Sequence, residues 1–159
     1  MSHSLVVILM GSKTDLEHGR RIAEACQGFG LDTVLRIGSA HKTPGHVLQI
    51  LGEYEADPRP KVYITIAGRS NALSGFTDGA VAAPVIACPP PSEAYSGADL
   101  FSSLRMPSGI APALVLEPAN AALLAAKILA LADAEVLVRV SQARSAAAAQ
   151  VLQDDLSLT

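Results

Sequence analysis

The six-residue run Leu5-Val6-Val7-Ile8-Leu9-Met10, closed by Gly11-Ser12, constrains the fold more than any other segment. A run that is apolar at every position has no face to give to water. A strand with one wet face would alternate, whereas a strand covered on both faces reads as a continuous apolar run. Six residues ending in Gly-Ser are too few for a buried helix. The run therefore predicts the central strand of a parallel sheet with helices packed on both sides.

The rest of the chain supplies those helices. Thr14 and Glu17 have capping-box spacing, and Ile22, Cys26 and Phe29 follow at i, i+4, i+7 before Gly28 and Gly30 stop the helix. A second strand at 32–37 leads to Thr43-Pro44, an N-cap followed by an N1 proline, with Val47, Leu51 and Tyr54 on one face. Asp57-Pro58-Arg59-Pro60 breaks regular structure before a third strand at 61–67, a turn at 68–71 and a small-residue helix around 71–82. A fourth strand, 84–87, is stopped by Pro89-Pro90-Pro91; a helix near 98–104 and a fifth strand, 113–116, follow. Pro118 opens a helix with Leu124, Ile128 and Leu131 on one stripe.

Strands alternating with helices, joined by right-handed crossovers, give an α/β fold. The expected form is a three-layer, doubly wound, parallel five-stranded sheet of flavodoxin-like type. Residues 1–159 read as a single domain, with a core over about 5–132 and an extra helix over about 133–154. That helix carries Val136, Val140 and many alanines, and a single chain leaves it little to cover. It is expected to pack on another subunit.

Composition narrows the function classes. Half of the residues are hydrophobic, aromatics make up 4% and tryptophan is absent, so the core is built from Ala, Val, Leu and Ile. The net charge is −3 with no basic block, which argues against nucleic acid as a partner. Cys26 and Cys88 lack metal-ligand spacing and read as two buried reduced thiols. The N-terminal apolar run is too short for a signal peptide or a membrane span, so a cytoplasmic location is expected.

Chemistry gathers in three turns that follow the first three strands: Gly11-Ser12-Lys13-Thr14-Asp15, Gly38-Ser39-Ala40-His41-Lys42 and Ala67-Gly68-Arg69-Ser70-Asn71. In the expected fold they share one edge of the sheet, and each leads into a helix with free backbone N–H groups. The hydroxyls of Ser12, Thr14, Ser39 and Ser70, with Lys42 and Arg69, suit a phosphate; Asp15 suits ribose hydroxyls. Plain capping accounts equally well for Thr14 and Asp15, turn chemistry for Ser39 and Thr43, and solvation for Lys13 and Arg69. The histidines separate more clearly. His3 is near the N-terminus, His18 and His46 lie within helices, and His41 alone sits among the polar turns.

MGSKTD, SAHKTP, AGRSNALSG, CPPPS and SSLRMPSG occur in that order and together resemble the phosphoribosylaminoimidazole (AIR) carboxylase family of purine biosynthesis, over roughly residues 5–135. The resemblance implies carboxylation of 5-aminoimidazole ribonucleotide at C4 by CO2, with no metal and no organic cofactor. It implies His41 as the proton-transfer group, with Lys42 and Ser70 beside the CO2 or its product. Gly11, Ser12, Thr14, Asp15, Ser39, Lys42, Gly68, Arg69, Ser70 and Asn71 match substrate-binding positions. The partners implied are the nucleotide, CO2 and further copies of the chain in a homo-octamer. The family's mutase class, which rearranges the N5-carboxylated nucleotide, typically has SAHRTP and a histidine in the third turn. Lys42 and the histidine-free Arg69–Gly75 segment instead resemble the CO2-using class. The rival readings are the mutase and a non-catalytic nucleotide-binding module.

Overall fold

The apolar run forms strand β1 (Leu5–Met10), and all six of its residues are buried. Strands β2 (Asp32–Ile37) and β3 (Lys61–Ile66) flank it in parallel, with Met10 opposite Ile37 on one side and Ile66 on the other. With β4 (Val85–Ala87) and β5 (Ala113–Leu114) they make a five-stranded sheet in the order β2-β1-β3-β4-β5. This is the flavodoxin-like order expected from the alternating pattern. The computed structural model describes residues 4–158, so His3 lies outside the described residues.

Because successive side chains on a strand point to opposite faces, β1 feeds two cores. Val6, Ile8 and Met10 pack with helix α1 (Leu16–Gly28), helix α5 (Pro118–Leu129) and the start of helix α6 (Ala134–Leu156). Leu5, Val7 and Leu9 pack with helices α2 (Pro44–Glu55) and α3 (Ala72–Asp78). Cys26 and Cys88 are buried and free, and burial pushes both thiols up to about 12, so both stay protonated. No helix among the described residues is long and apolar enough to cross a membrane.

The structure corrects the expected elements in four places. The buried face of α5 is Ala121, Ala122, Ala125, Ala126 and Leu129, whereas Leu124 and Ile128 are only partly buried and Leu131 is 89% exposed. Alanines let α5 approach α1 closely, so the larger side chains sit beside the contact and Leu131 lies past the helix end. Helix α3 stops at Asp78 instead of about 82, because the chain must become extended before Pro84. The helix expected near 98–104 is a 3-10 segment, Ala94–Leu100, followed by the single turn α4 (Phe101–Leu104). Gly97, at φ 77°, interrupts any longer helix. Strand β5 is shorter than 113–116 because its partner β4 ends before the prolines; only Val115 N–H continues the ladder, to the Ala87 carbonyl at 2.9 Å.

Helix α6 is capped by Asp133, whose carboxylate accepts from Glu135 N–H (3.1 Å) and Val136 N–H (3.3 Å). Val136 and Val140 are buried, but every residue from Ser141 to Leu156 is exposed.

One glycine fixes how α2 sits over the sheet. A Cβ on Gly38 would meet Val47 Cγ2 at 2.8 Å, with Ile50 Cδ1 and Leu9 Cδ1 close behind at 3.5 and 3.6 Å. Valine has no flexible end that could yield. Gly38→Ala is expected to cost about 1–3 kcal/mol by overpacking. A urea midpoint within error of the wild type would show that α2 shifts freely instead.

Candidate active site

The register of β1 with its neighbours builds the site. Gly11 N–H donates to the Ile66 carbonyl (2.8 Å) and Gly38 N–H to the Met10 carbonyl (2.9 Å), so the three strands end side by side. Their turns meet where the strand order reverses around β1, the place where open α/β sheets form a crevice. A cavity of about 690 Å³ opens there, within the size range of small-ligand sites.

The first turn contributes Gly11, Ser12, Thr14 and Asp15 to the cavity wall. Asp15 is 7% exposed, and its Oδ2 accepts from Ser12 N–H (3.1 Å) and Ser12 Oγ–H (3.2 Å). The capping box is therefore Ser12–Asp15, around a 3-10 turn at Lys13–Asp15, and not the expected Thr14–Glu17. Both pairs have the right spacing, but Ser12 has the extended backbone of a cap (φ −159°, ψ 169°). Thr14 Oγ1 is hydrogen bonded to Ser12 Oγ. Structure and binding are thus not alternatives at Asp15: one oxygen holds the turn, and the other, Oδ1, lies toward Gly68, where a Cβ would stand 3.4 Å from it.

The second turn contributes Ser39, Ala40, His41 and Lys42. It is closed on itself. Thr43 N–H donates to the Ser39 carbonyl (2.9 Å), Ser39 N–H to Thr43 Oγ1 (3.0 Å) and Lys42 N–H to Ser39 Oγ (3.2 Å). Thr43 stands at the N-cap position of α2, but its hydroxyl turns back to Ser39 instead of capping forward. The α2 N-terminus therefore keeps free N–H groups. Ser39 Oγ accepts a bond and still has its own O–H to donate. His41 and Lys42 are exposed on the single chain and face the cavity from this loop.

The third turn contributes Ala67, Gly68, Arg69 and Ser70, with Leu73 from the first turn of α3. Among the described residues, ion pairs join Arg36 to Glu53 and Arg59 to Asp57 and Asp32, leaving Lys42 and Arg69 unengaged by carboxylates. The cavity thus carries two free cations and one partly committed carboxylate.

Asn71 departs from expectation. It does not line the cavity; it is 3% exposed, with Nδ2 donating to Ser103 Oγ and its backbone carbonyl accepting from Ser74 Oγ–H (3.0 Å). A partner 32 positions away turned the side chain inward. Ala40, Ala67 and Leu73 line the cavity without having been singled out, since apolar side chains carry no chemical signal; adjacency to the polar residues of each turn was the available clue.

His18 is structural. It is 8% exposed in α1, and its Nε2–H donates to the Cys88 carbonyl at 3.1 Å, with Cys88 Sγ at 3.5 Å. That bond fixes the end of β4 just before Pro90, whose Cγ would stand 3.6 Å from a Cβ on Gly68. His46 is exposed on α2.

Comparison with known proteins gives the family. The family described as AIR carboxylase matches residues 5–150. A phosphoribosylaminoimidazole carboxylase from Treponema denticola is 58% identical over 154 residues, covering 97% of each chain. One from Archaeoglobus fulgidus is 57% identical over 136 residues, covering 86% of this chain and 74% of the relative. The human bifunctional phosphoribosylaminoimidazole carboxylase/phosphoribosylaminoimidazole succinocarboxamide synthetase is 46% identical over 132 residues, with 83% of this chain spanning 31% of that protein. The crystal structure of Treponema denticola PurE superposes with a TM-score of 0.97 at 57% identity, over 99% of both chains.

The buried histidine predicts a pH dependence of stability. Burial lowers the His18 pKa from its ordinary 6.5, more than the Cys88 carbonyl bond raises it. Below 6.5 the unfolded chain therefore binds a proton that the folded chain refuses, so stability falls as pH drops through 6.5 toward the folded value. His18→Gln keeps a donor for the carbonyl without titrating. Urea midpoints measured between about pH 7 and pH 5 should fall less steeply in this variant. An unchanged slope would contradict the assignment.

Proposed function

The chain belongs to the AIR carboxylase family, and on that premise we propose that it carboxylates 5-aminoimidazole ribonucleotide at C4 with CO2, forming 4-carboxy-5-aminoimidazole ribonucleotide in de novo purine biosynthesis. The observation that carries the mechanism is the placement of His41 and Lys42 on the same cavity as the Ser12–Asp15 turn and the Arg69–Ser70 turn.

The substrate ring is an enamine. Its amino nitrogen pushes electron density to C4, the C4–carbon bond to CO2 forms, and one C=O pair moves onto oxygen as the new carboxylate. C4 then carries both the carboxylate and its original hydrogen. Loss of that proton to the His41 imidazole restores the aromatic ring, and the histidine returns the proton to water. The ring supplies the electron push, so the protein's task is to orient, to exclude water and to accept one proton.

The residues divide the task by turn. Ser12, Thr14 and Ser39 hydroxyls and the free N–H groups at the start of α2 hold the phosphate, with the helix dipole favouring its charge. Asp15 Oδ1 accepts from ribose hydroxyls while Oδ2 stays with Ser12. Gly11 and Gly68 bring backbone close to the ligand. The Lys42 ammonium and the Ser70 hydroxyl stabilise the carboxylate as it forms, and Arg69 adds positive potential. Lys42, where the mutase class has arginine, supports CO2 as the carbon source. The exposed length of α6, including Val151, Leu152 and Leu156, is assigned to contacts with further copies in an octamer working in the cytoplasm.

His41→Asn should lower turnover by about 10²–10⁴ while changing nucleotide KM little, as removal of one positioned base does. Near-normal turnover would remove His41 from the mechanism. The carbon source is decided by feeding the aminoimidazole nucleotide with bicarbonate, and separately the N5-carboxylated nucleotide. Rapid product from the first supports the CO2-using reaction. Product from the second alone would make the enzyme a mutase, and nucleotide binding without product from either would leave a binding module.

A further inference from the structure

A second cavity, about 790 Å³, borders the third turn and shares Gly68, Arg69 and Ser70 with the first. Its far wall includes Asp99 and Ser102. Gly68, Arg69 and Ser70 thus border open space in both cavities. The Asn71–Ser103 hydrogen bond bridges the two walls: Asn71 follows Ser70 on one side, and Ser103 follows Ser102 on the other.

The Asn71 amide is poorly suited to a purely structural role. Its Oδ1 is buried and has no hydrogen-bond partner among the described residues. Flipping the amide would only exchange which atom is orphaned. A leucine of similar volume would fill the same space without burying an unsatisfied polar atom. What the amide supplies and leucine cannot is a directional link to Ser103, itself only 4% exposed.

We infer that Asn71 is a positioning residue, which through Ser103 holds Ser70 at the distance from His41 and Lys42 that the forming carboxylate requires. This rests on the carboxylase reading of the first cavity. The phosphate is held by the first two turns, so loosening the third should slow the chemical step without weakening nucleotide binding.

The test compares carboxylation by the wild type, Ser103→Ala, Ser103→Thr, Asn71→Ala and the Asn71→Ala/Ser103→Ala double variant, with thermal melting of each. Ser103→Ala and Asn71→Ala should each lower kcat about tenfold or more, with nucleotide KM within about twofold, since small misplacements of a reacting group are costly. The double variant should be no slower than the slower single variant, because one bond is lost in all three. Ser103→Thr, which keeps the hydroxyl, should retain the rate. A wild-type kcat for Ser103→Ala, losses that multiply in the double variant, or losses confined to KM would overturn the positioning role. If Asn71→Ala does not fold, the Ser103→Ala and Ser103→Thr pair decides alone. A wild-type enzyme that carboxylates nothing would overturn the underlying reading instead.

Discussion

The register of β1 between β2 and β3 is the constraint on which the rest depends. Met10 faces Ile37 and Ile66 at the same level, so three strands stop together and three turns start together. A register shift would move a turn along the sheet edge, and a single-residue slip would also reverse which β1 residues feed which core. Because both cores are apolar, such a slip would also disrupt packing against α1 on one face and α2 on the other. The same burial that stabilises the sheet therefore sets the spacing of the polar groups at its edge.

The turns themselves are rigid for local reasons. Ser12 and Asp15 lock the first, and Ser39 and Thr43 lock the second by reciprocal bonds. These are short-range hydrogen bonds between residues three or four apart, formed without the rest of the domain. They leave the α2 N-terminus, the Ser39 hydroxyl proton and Asp15 Oδ1 unused beside the cavity, so local closure and ligand binding use different atoms of the same turns. The third turn has one such local bond, from Ser74 Oγ–H to the Asn71 carbonyl, and adds a long-range one from Asn71 to Ser103.

This difference explains what the sequence could reveal. The bounds of β1 and β2 were legible because a strand's limits are written in adjacent residues: an unbroken apolar run, a Gly-Ser stop, a proline after a threonine. The first two turns were legible for the same reason, and all their residues but Lys13 and Gly38 line the cavity. Asn71 was not, because its orientation depends on a serine 32 positions later, and no local pattern distinguishes an asparagine facing a ligand from one facing inward. The α5 stripe misled in another way. Leu124, Ile128 and Leu131 are the more hydrophobic set, but close approach to α1 selects alanine, a preference that hydrophobicity does not encode. The Thr14–Glu17 pair failed because a competing pair two residues earlier satisfied the same pattern with better backbone geometry.

The most direct test is a crystal structure with the carboxylated product nucleotide bound. The phosphate is expected against the Ser12 and Ser39 turns, with the new carboxylate between Lys42 and Ser70. His41 should lie within about 3.5 Å of C4, the separation at which reacting atoms are poised. A nucleotide seated away from these turns, or bound among them with the imidazole of residue 41 directed into solvent, would contradict the account.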